Sequence, residues 1–201
     1  MFAQGRNSCF RILATFILTF AWISPIHAED GDDSLVLVAT PQFQDPLYGS
    51  TILIAKPLEG GRHLGFILNK PTSFSLAQVF PGHAPSKSVR DPVYLGGPSG
   101  LNEIFALVQS ESSPGDGSVQ IAPNLFLVIA EKTVDQVIET DADHARFFVG
   151  TVMWNPGELE EELKRGAWYV LEPEPEVVLR SKTEGLWEEL VHRAETSANA
   201  I

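Results

Sequence analysis

Eight short runs of mostly apolar residues recur along the chain, each bounded by Gly, Pro or Asn or by other polar residues. A strand with one solvated face alternates apolar and polar residues, whereas a continuous apolar run indicates a strand buried on both faces. The runs therefore predict a β-sheet that is covered by helices. They are Leu35–Ala39, Thr51–Ala55, Leu64–Leu68, Val93–Leu95, Ile104–Val108, Leu125–Ala130, Arg146–Val152 and Trp168–Leu171.

Helix-capping patterns lie between these runs. The segments Ser75–Gln78 and Thr133–Gln136 have the Ser/Thr-x-x-Gln spacing of a capping box and lead into apolar residues at helical spacing. Asn155 can cap a helix whose first position is a proline, which predicts a helix over Pro156–Arg165. Three helices are thus predicted between the strands.

A last helix is predicted after Thr183, because Leu186, Leu190 and Val191 share one face with Trp187. No linker-like segment or internal repeat divides the chain. The sequence therefore predicts an α/β fold: a single compact domain with a mixed β-sheet and helices packed on its faces.

The first 28 residues have the pattern of a secretory signal peptide. Arg6 and Arg11 precede the apolar run Ile12–Ile23, Pro25 ends this run, and Ala28 offers a small residue for cleavage. The run is shorter than the roughly 18 apolar residues of a spanning helix, so we expect cleavage and no stable membrane span afterwards; an uncleaved anchor is the alternative. The predicted organisation is a signal peptide at 1–28, an acidic leader at 29–33, a folded domain at 34–193 and a C-terminal tail at 194–201, in a periplasmic or secreted protein.

The acidic composition argues against a nucleic-acid partner. The sequence has 14 Lys and Arg against 26 Asp and Glu, a formal net charge of −12. Cleavage after Ala28 removes two arginines and the only cysteine, Cys9, so that the mature chain would carry −14 and no disulfide. Such a surface repels phosphate backbones, and no nucleic-acid binding is expected.

Spacing alone identifies no catalytic residue, metal site or cofactor site. The four histidines beyond the signal peptide do not pair at metal-ligand spacing, and no cysteine accompanies them. Ser99 lies in a Gly-rich segment that lacks the Gly-x-Ser-x-Gly spacing of a hydrolase elbow. No metal or cofactor is therefore expected, and the chain is not predicted to be an enzyme on these grounds.

Two loops after predicted strands form the candidate binding site. Asn69 and Lys70 follow one strand, and Gly96 and Gly97 follow another. A lysine charge and the backbone N–H groups of a Gly-rich turn can bind a small anion such as a carboxylate or phosphate. Tight-turn chemistry is the alternative explanation for both loops.

Several segments, taken in order, resemble the YqgE/AlgH family. The resemblance covers nearly all of 34–193, and it implies a single α/β domain with a mixed sheet. The family is largely uncharacterised and one branch is labelled a transcriptional regulator, so the resemblance implies no catalytic residue or cofactor. The matching segments are Ala39–Pro46, Gly65–Thr72, Val93–Pro98, Trp154–Leu163, Gly166–Trp168 and Leu186–Leu190.

Three functions are consistent with the sequence. The first is a non-enzymatic binding or accessory protein with an unknown protein partner or small ligand. The second is a hydrolase-type enzyme whose site is assembled from distant loops. It requires a pocket that gathers Asn69, Lys70 or Ser99 with a histidine or carboxylate of shifted pKa. The third is transcriptional regulation, which the signal peptide and the negative charge disfavour.

Overall fold

Ten β-strands form a curled, mostly antiparallel sheet in the computed structural model, which describes residues 34–198. The strand order is β10-β1-β2-β3-β9-β6-β8-β7, and β5 pairs with β9 in parallel and with β4 in antiparallel orientation. The predicted signal peptide and acidic leader lie outside the described residues. The strands are β1 (Leu35–Ala39), β2 (Ile52–Leu58), β3 (Arg62–Ile67), β4 (Pro71–Ser75), β5 (Pro92–Leu95), β6 (Ser99–Gln109), β7 (Ser118–Ala122), β8 (Leu125–Val128), β9 (Ala145–Trp154) and β10 (Trp168–Leu171).

Strand β9 connects the two parts of this sheet. Its first half pairs with β6 and β5, and its last three residues pair with β3. Gly150 lies between the two halves at a φ of 73°, a left-handed conformation that glycine adopts without strain. At the far end of the sheet β1 pairs with β10, with Val36 opposite Leu171.

Five α-helices cover both faces of the sheet. They are α1 (Leu76–Val79), α2 (Glu131–Thr140), α3 (Glu158–Lys164), α4 (Pro175–Val178) and α5 (Leu186–Ala198). Helices α4 and α5 pack in one apolar cluster, α3 in a second, and α1 and α2 in a third. Successive side chains of β1 point to opposite faces of the sheet. Val36 and Val38 lie in the first cluster and Leu37 and Ala39 in the second, so helices cover both faces. The predicted α/β class with a mixed sheet and packed helices is confirmed.

All eight apolar runs are strands, but two further strands lack that signal. Strand β4 has the sequence PTSFS and β7 has SVQIA, and both contain polar residues on exposed positions. Each is held by pairing with a neighbour, β5 and β8 respectively. Tertiary pairing rather than local composition therefore determines these two strands.

Two predicted helix starts are wrong. Thr133 is not an N-cap, because α2 already begins at Glu131 and the Thr133 hydroxyl donates to the carbonyl of Asp116 at 2.6 Å. The cap of α3 is Gly157, at a φ of 83°, and not Asn155, whose backbone N–H donates to the Glu158 carboxylate at 2.9 Å. A left-handed glycine turns the chain into the helix two residues later than the proline pattern indicated.

The other predicted helix signals agree with the structure. Ser75 and Gln78 form the capping box of α1, with the Ser75 N–H donating to the Gln78 side-chain oxygen at 2.9 Å. Gly166, at a φ of 72°, follows the end of α3 as predicted. Helix α5 continues to Ala198 and so includes the first residues of the predicted tail 194–201. Across the described residues, no helix is long and apolar enough to cross a membrane.

Candidate functional site

The side chain of Asn69 connects two loops of the protein itself. Its oxygen accepts from the Ile52 N–H and its nitrogen donates to the Ser50 carbonyl, both at 2.9 Å. Both ends of the amide are therefore engaged at the start of β2. These two contacts support a structural role for Asn69, which aligns the residues that lead into β2.

Lys70 lies beside the glycine loop, as the prediction requires. The Leu95 N–H donates to the Lys70 carbonyl at 2.8 Å, which brings the two loops together. The Lys70 ammonium, however, is half-buried and donates to the carbonyl of Leu47. Burial lowers the pKa of Lys70, and the charge of Asp45 partly opposes this shift.

The two glycines allow backbones to approach closely. Gly96 donates its N–H to Val149 and accepts from Ile67, both at 2.8 Å. A methyl group added at Gly97 would lie 2.3 Å from the carbonyl carbon and oxygen of Thr151. The structure thus brings Asn69, Lys70, Gly96 and Gly97 together, and binding of a small anion there stays a prediction.

The apolar surface of the domain is concentrated at a different place, which we call the α1–α2 groove. Seven large apolar side chains are exposed in the described part of the chain, and four of them line this one groove: Phe74, Val79, Leu101 and Ile129. Phe74 is 58% exposed and Leu101 is 53% exposed. The groove has a cavity volume of about 1020 Å³.

The floor of the groove is the face of the sheet, formed by Val93 of β5, Ile104 of β6 and Val149 of β9. Val79 of α1, the neighbouring Phe80 and the first turns of α2 also line the groove. Both helices pack on the same apolar cluster, in which Val93 is buried whereas Ile104 and Val149 are half-buried and so partly exposed at the groove.

An irregularity in β6 shapes one end of the groove. Ser99 pairs with Thr151 and Ile104 pairs with Val149, so that β6 has three more residues than β9 between these two pairs. The extra residues bulge out and leave Leu101, Asn102 and Glu103 exposed at the groove. A β-bulge thus presents an apolar side chain to solvent from a strand in the interior of the sheet.

The charged side chains that line the groove are all carboxylates. They are Glu103 from the bulge and Glu131 and Asp135 from α2. Glu131 and Glu103 are exposed and Asp135 is half-buried, so that each can meet a charge on a bound molecule. The groove therefore combines an apolar floor with an acidic rim.

Arg146 is the largest fully buried side chain of the described residues, at 1% exposure. Its Nη1 donates to the Leu68 carbonyl at 3.0 Å, and its guanidinium carbon lies 4.4 Å from the ring centroid of Tyr94. Its Nε and Nη2 have no hydrogen-bond partner among the described residues. Burial lowers the pKa of Arg146, although the nearby Tyr94 and Asp91 oppose that shift. A cation–π contact is the compensation that this site provides.

Ionisable side chains do not assemble into a metal centre in residues 34–198, where no group of three or more His, Cys, Asp or Glu could hold an ion. His144 and Asp141 are hydrogen-bonded at 2.7 Å beside two polar cavities. Those cavities and the groove are lined by residues other than Asn69, Lys70 and Ser99.

The groove has no continuous sequence signal, because its apolar side chains come from separate segments. Phe74 lies in a polar strand, Val79 in a four-residue helix, Leu101 in a bulge, and Ile129 just after β8. One signal was available: Phe74 stands alone among polar residues, a pattern that does not serve a core. Arg146 also had a signal, since a cation opened an otherwise apolar run.

Comparison with known proteins identifies one family. The sequence model of the AlgH-like family (DUF179), a domain of unknown function, matches residues 36–199. A UPF0301 protein of Streptomyces avermitilis is 30% identical over 165 residues, which cover 79% of this chain and 84% of the relative. A UPF0301 protein of Chlorobaculum tepidum is 29% identical over 155 residues, covering 76% of this chain and 81% of that protein.

Solved structures share the fold at lower identity. The solution structure of the AlgH protein from Pseudomonas aeruginosa has a TM-score of 0.67 at 22% identity, and the similarity covers 85% of this chain and 90% of that one. The crystal structure of a protein from Corynebacterium diphtheriae has a TM-score of 0.66 at 20% identity, covering 79% and 85%. These similarities concern the fold alone.

Proposed function

The chain belongs to the AlgH-like family, and from that premise we propose that it is an exported, non-enzymatic binding protein. Its α1–α2 groove holds an apolar segment of a partner protein. The observation that carries this proposal is the concentration of exposed apolar side chains in a single groove. Contiguous apolar surface of this kind marks interaction sites on soluble domains, because its exposure to water is unfavourable.

The properties of the groove favour a protein segment over other apolar ligands. Its cavity volume of about 1020 Å³ lies at the upper end of the range for small-molecule pockets, and its Phe74 and Leu101 side chains are more than half exposed. A membrane surface is a poor partner, since anionic lipid headgroups are repelled by the acidic rim and by the negative net charge of the chain.

Export rests on the N-terminal sequence. Two arginines, an apolar run and a small residue at position 28 follow the order of a cleavable signal peptide. Intact-mass measurement of the protein from the exported fraction tests this step. We expect the mass of a chain that begins at Glu29, and the mass of a chain that retains Met1 would contradict cleavage.

Peptide selection tests the binding function. Protein expressed from the full 201-residue sequence is presented to a displayed library of random peptides, and recovered peptides are measured by fluorescence polarisation. The variant Leu101→Asp places a charge in the groove, and Val170→Asp makes the same kind of change at a side chain that is 47% exposed on β10. Unfolding midpoints of both variants verify that they are folded.

We expect peptides whose affinity falls at least about tenfold with Leu101→Asp, because a carboxylate would be desolvated against apolar side chains. Val170→Asp should leave their affinity unchanged. Failure to recover any peptide, or recovery of peptides that bind both variants equally, would contradict a binding role for the groove.

A further inference from the structure

Building on the proposed function, we infer that the segment held by the α1–α2 groove is an amphipathic helix whose polar face is basic. Two properties of the groove favour this partner: the apolar side chains that line it and the negative sign of its charges.

The shape of the groove fits a helix. Helices α1 and α2 pack on one face of the sheet, and the half-buried Ile104 and Val149 lie in the groove with the exposed Phe74 and Leu101. A helix seated in the groove would cover these apolar side chains, as helices cover sheet faces elsewhere in α/β folds. Its apolar side chains at positions i, i+3, i+4 and i+7 would meet the floor together with Phe74 and Leu101.

The charge of the groove selects a basic polar face. A helix seated on the floor has its polar face turned towards the rim, where Glu103, Glu131 and Asp135 lie. The carboxylates of the β6 bulge and of α2 attract Lys and Arg and repel Asp and Glu. A second copy of this strongly acidic chain is disfavoured by the same repulsion.

Three synthetic 18-residue peptides test the inference on the full-length protein. The first has a Leu/Phe apolar face and a Lys/Arg polar face. The second keeps the apolar face and replaces every Lys or Arg with Glu. The third has the composition of the first in scrambled order, so that the apolar face is lost. Each peptide carries a fluorescent label, and affinity is measured by polarisation at two salt concentrations.

Two double variants report on the rim. Glu131→Gln with Asp135→Asn removes two charges from the groove, whereas Glu160→Gln with Glu161→Gln removes two charges from α3, which packs in another cluster. We expect the first double variant to bind the basic helix with about tenfold lower affinity, and the second to bind it with unchanged affinity. Raising the salt concentration should weaken binding to the original protein more than binding to the groove variant.

The outcomes separate the inference from the proposed function. The basic helix should bind at least about tenfold more tightly than the acidic helix, and Leu101→Asp should abolish its binding. Equal binding of the two helices, lost in Leu101→Asp, would overturn the basic partner but keep the groove as a binding site. If the scrambled peptide bound as tightly as the basic helix, the inference that the partner is an amphipathic helix would be overturned. Binding of no peptide would contradict both, as would a dimer that Leu101→Asp converts to a monomer in sedimentation experiments.

Discussion

Substitution of Gly97 by alanine tests how closely β9 approaches the glycine loop. The new methyl group would lie 2.3 Å from the carbonyl carbon and oxygen of Thr151 and 2.6 Å from the Val152 nitrogen, whereas ordinary contact begins at 3.4 Å. The two backbones would have to separate by about 1 Å. Because β9 pairs with strands on both sides, it cannot move without disturbing them. Overpacking costs about 1–3 kcal/mol, and we expect a loss near 3 kcal/mol here.

Thermal and urea unfolding measure this loss against a matched glycine. A loss of 3 kcal/mol corresponds to a decrease in Tm of about 6–12 °C for a domain of this size. Gly82→Ala is the control, since no atom beyond its chain neighbours lies within 4 Å of the added methyl group, and it should change stability by less than about 0.5 kcal/mol. Equal unfolding midpoints for Gly97→Ala and Gly82→Ala would refute the argument that close backbone approach requires glycine at position 97.

Three further changes in stability are expected, each measured by urea unfolding. Leu159→Ala should lower the free energy of unfolding by about 2–5 kcal/mol because the Leu159 side chain is 1% exposed, and Leu163→Ala should lower it less because Leu163 is only partly buried. Asn155→Ala should have little effect because Asn155 does not cap α3. Equal losses in the three variants would contradict these assignments. Glu162→Ala should cost about 1–3 kcal/mol and Glu162→Gln less, because the Glu162 carboxylate accepts from two indole N–H groups at 3.1 and 2.8 Å; a harmless Ala variant would contradict this role. Burial raises the pKa of Tyr94, so the unfolded chain loses the phenol proton at lower pH than the folded protein does, and stability falls above about pH 10. Tyr94→Phe should reduce this fall. Identical slopes of unfolding free energy against pH between about pH 9 and 11 for the two proteins would contradict the prediction.

Continuous apolar runs made the sheet predictable. A strand buried on both faces has no polar positions, so the run Leu35–Ala39 matched the bounds of the buried strand β1. The run Trp168–Leu171 also matched the bounds of β10, although Val170 of that strand is exposed. Helix starts were less predictable, because a cap depends on backbone conformation. The left-handed Gly157 moved the start of α3, and a hydroxyl bond to a distant loop removed Thr133 from its predicted role.

The candidate site depends on contacts between segments that are distant in sequence. The sequence identified loops that the structure places together, but the contacts of Asn69 and Lys70 are with backbone carbonyls and N–H groups that no local pattern specifies. The groove was not predicted because its lining residues come from separate strands, helices and a bulge that meet only in the folded domain. An uncovered surface is a property of the assembled layers and has no motif.

The pairing of β1 with β10 has a consequence for how the chain is made. Strand β1 can pair with β10 only after the last strand has been made. Strands β3 and β6 likewise lack a neighbour until β9, which ends at Trp154, has been made. A growing polypeptide therefore cannot complete its sheet until residue 171 has been synthesised. Long-range pairing of this kind also slows folding, because the intervening chain must be closed into a loop first. For the export that we propose, the sheet would therefore remain incomplete during most of the synthesis of the chain.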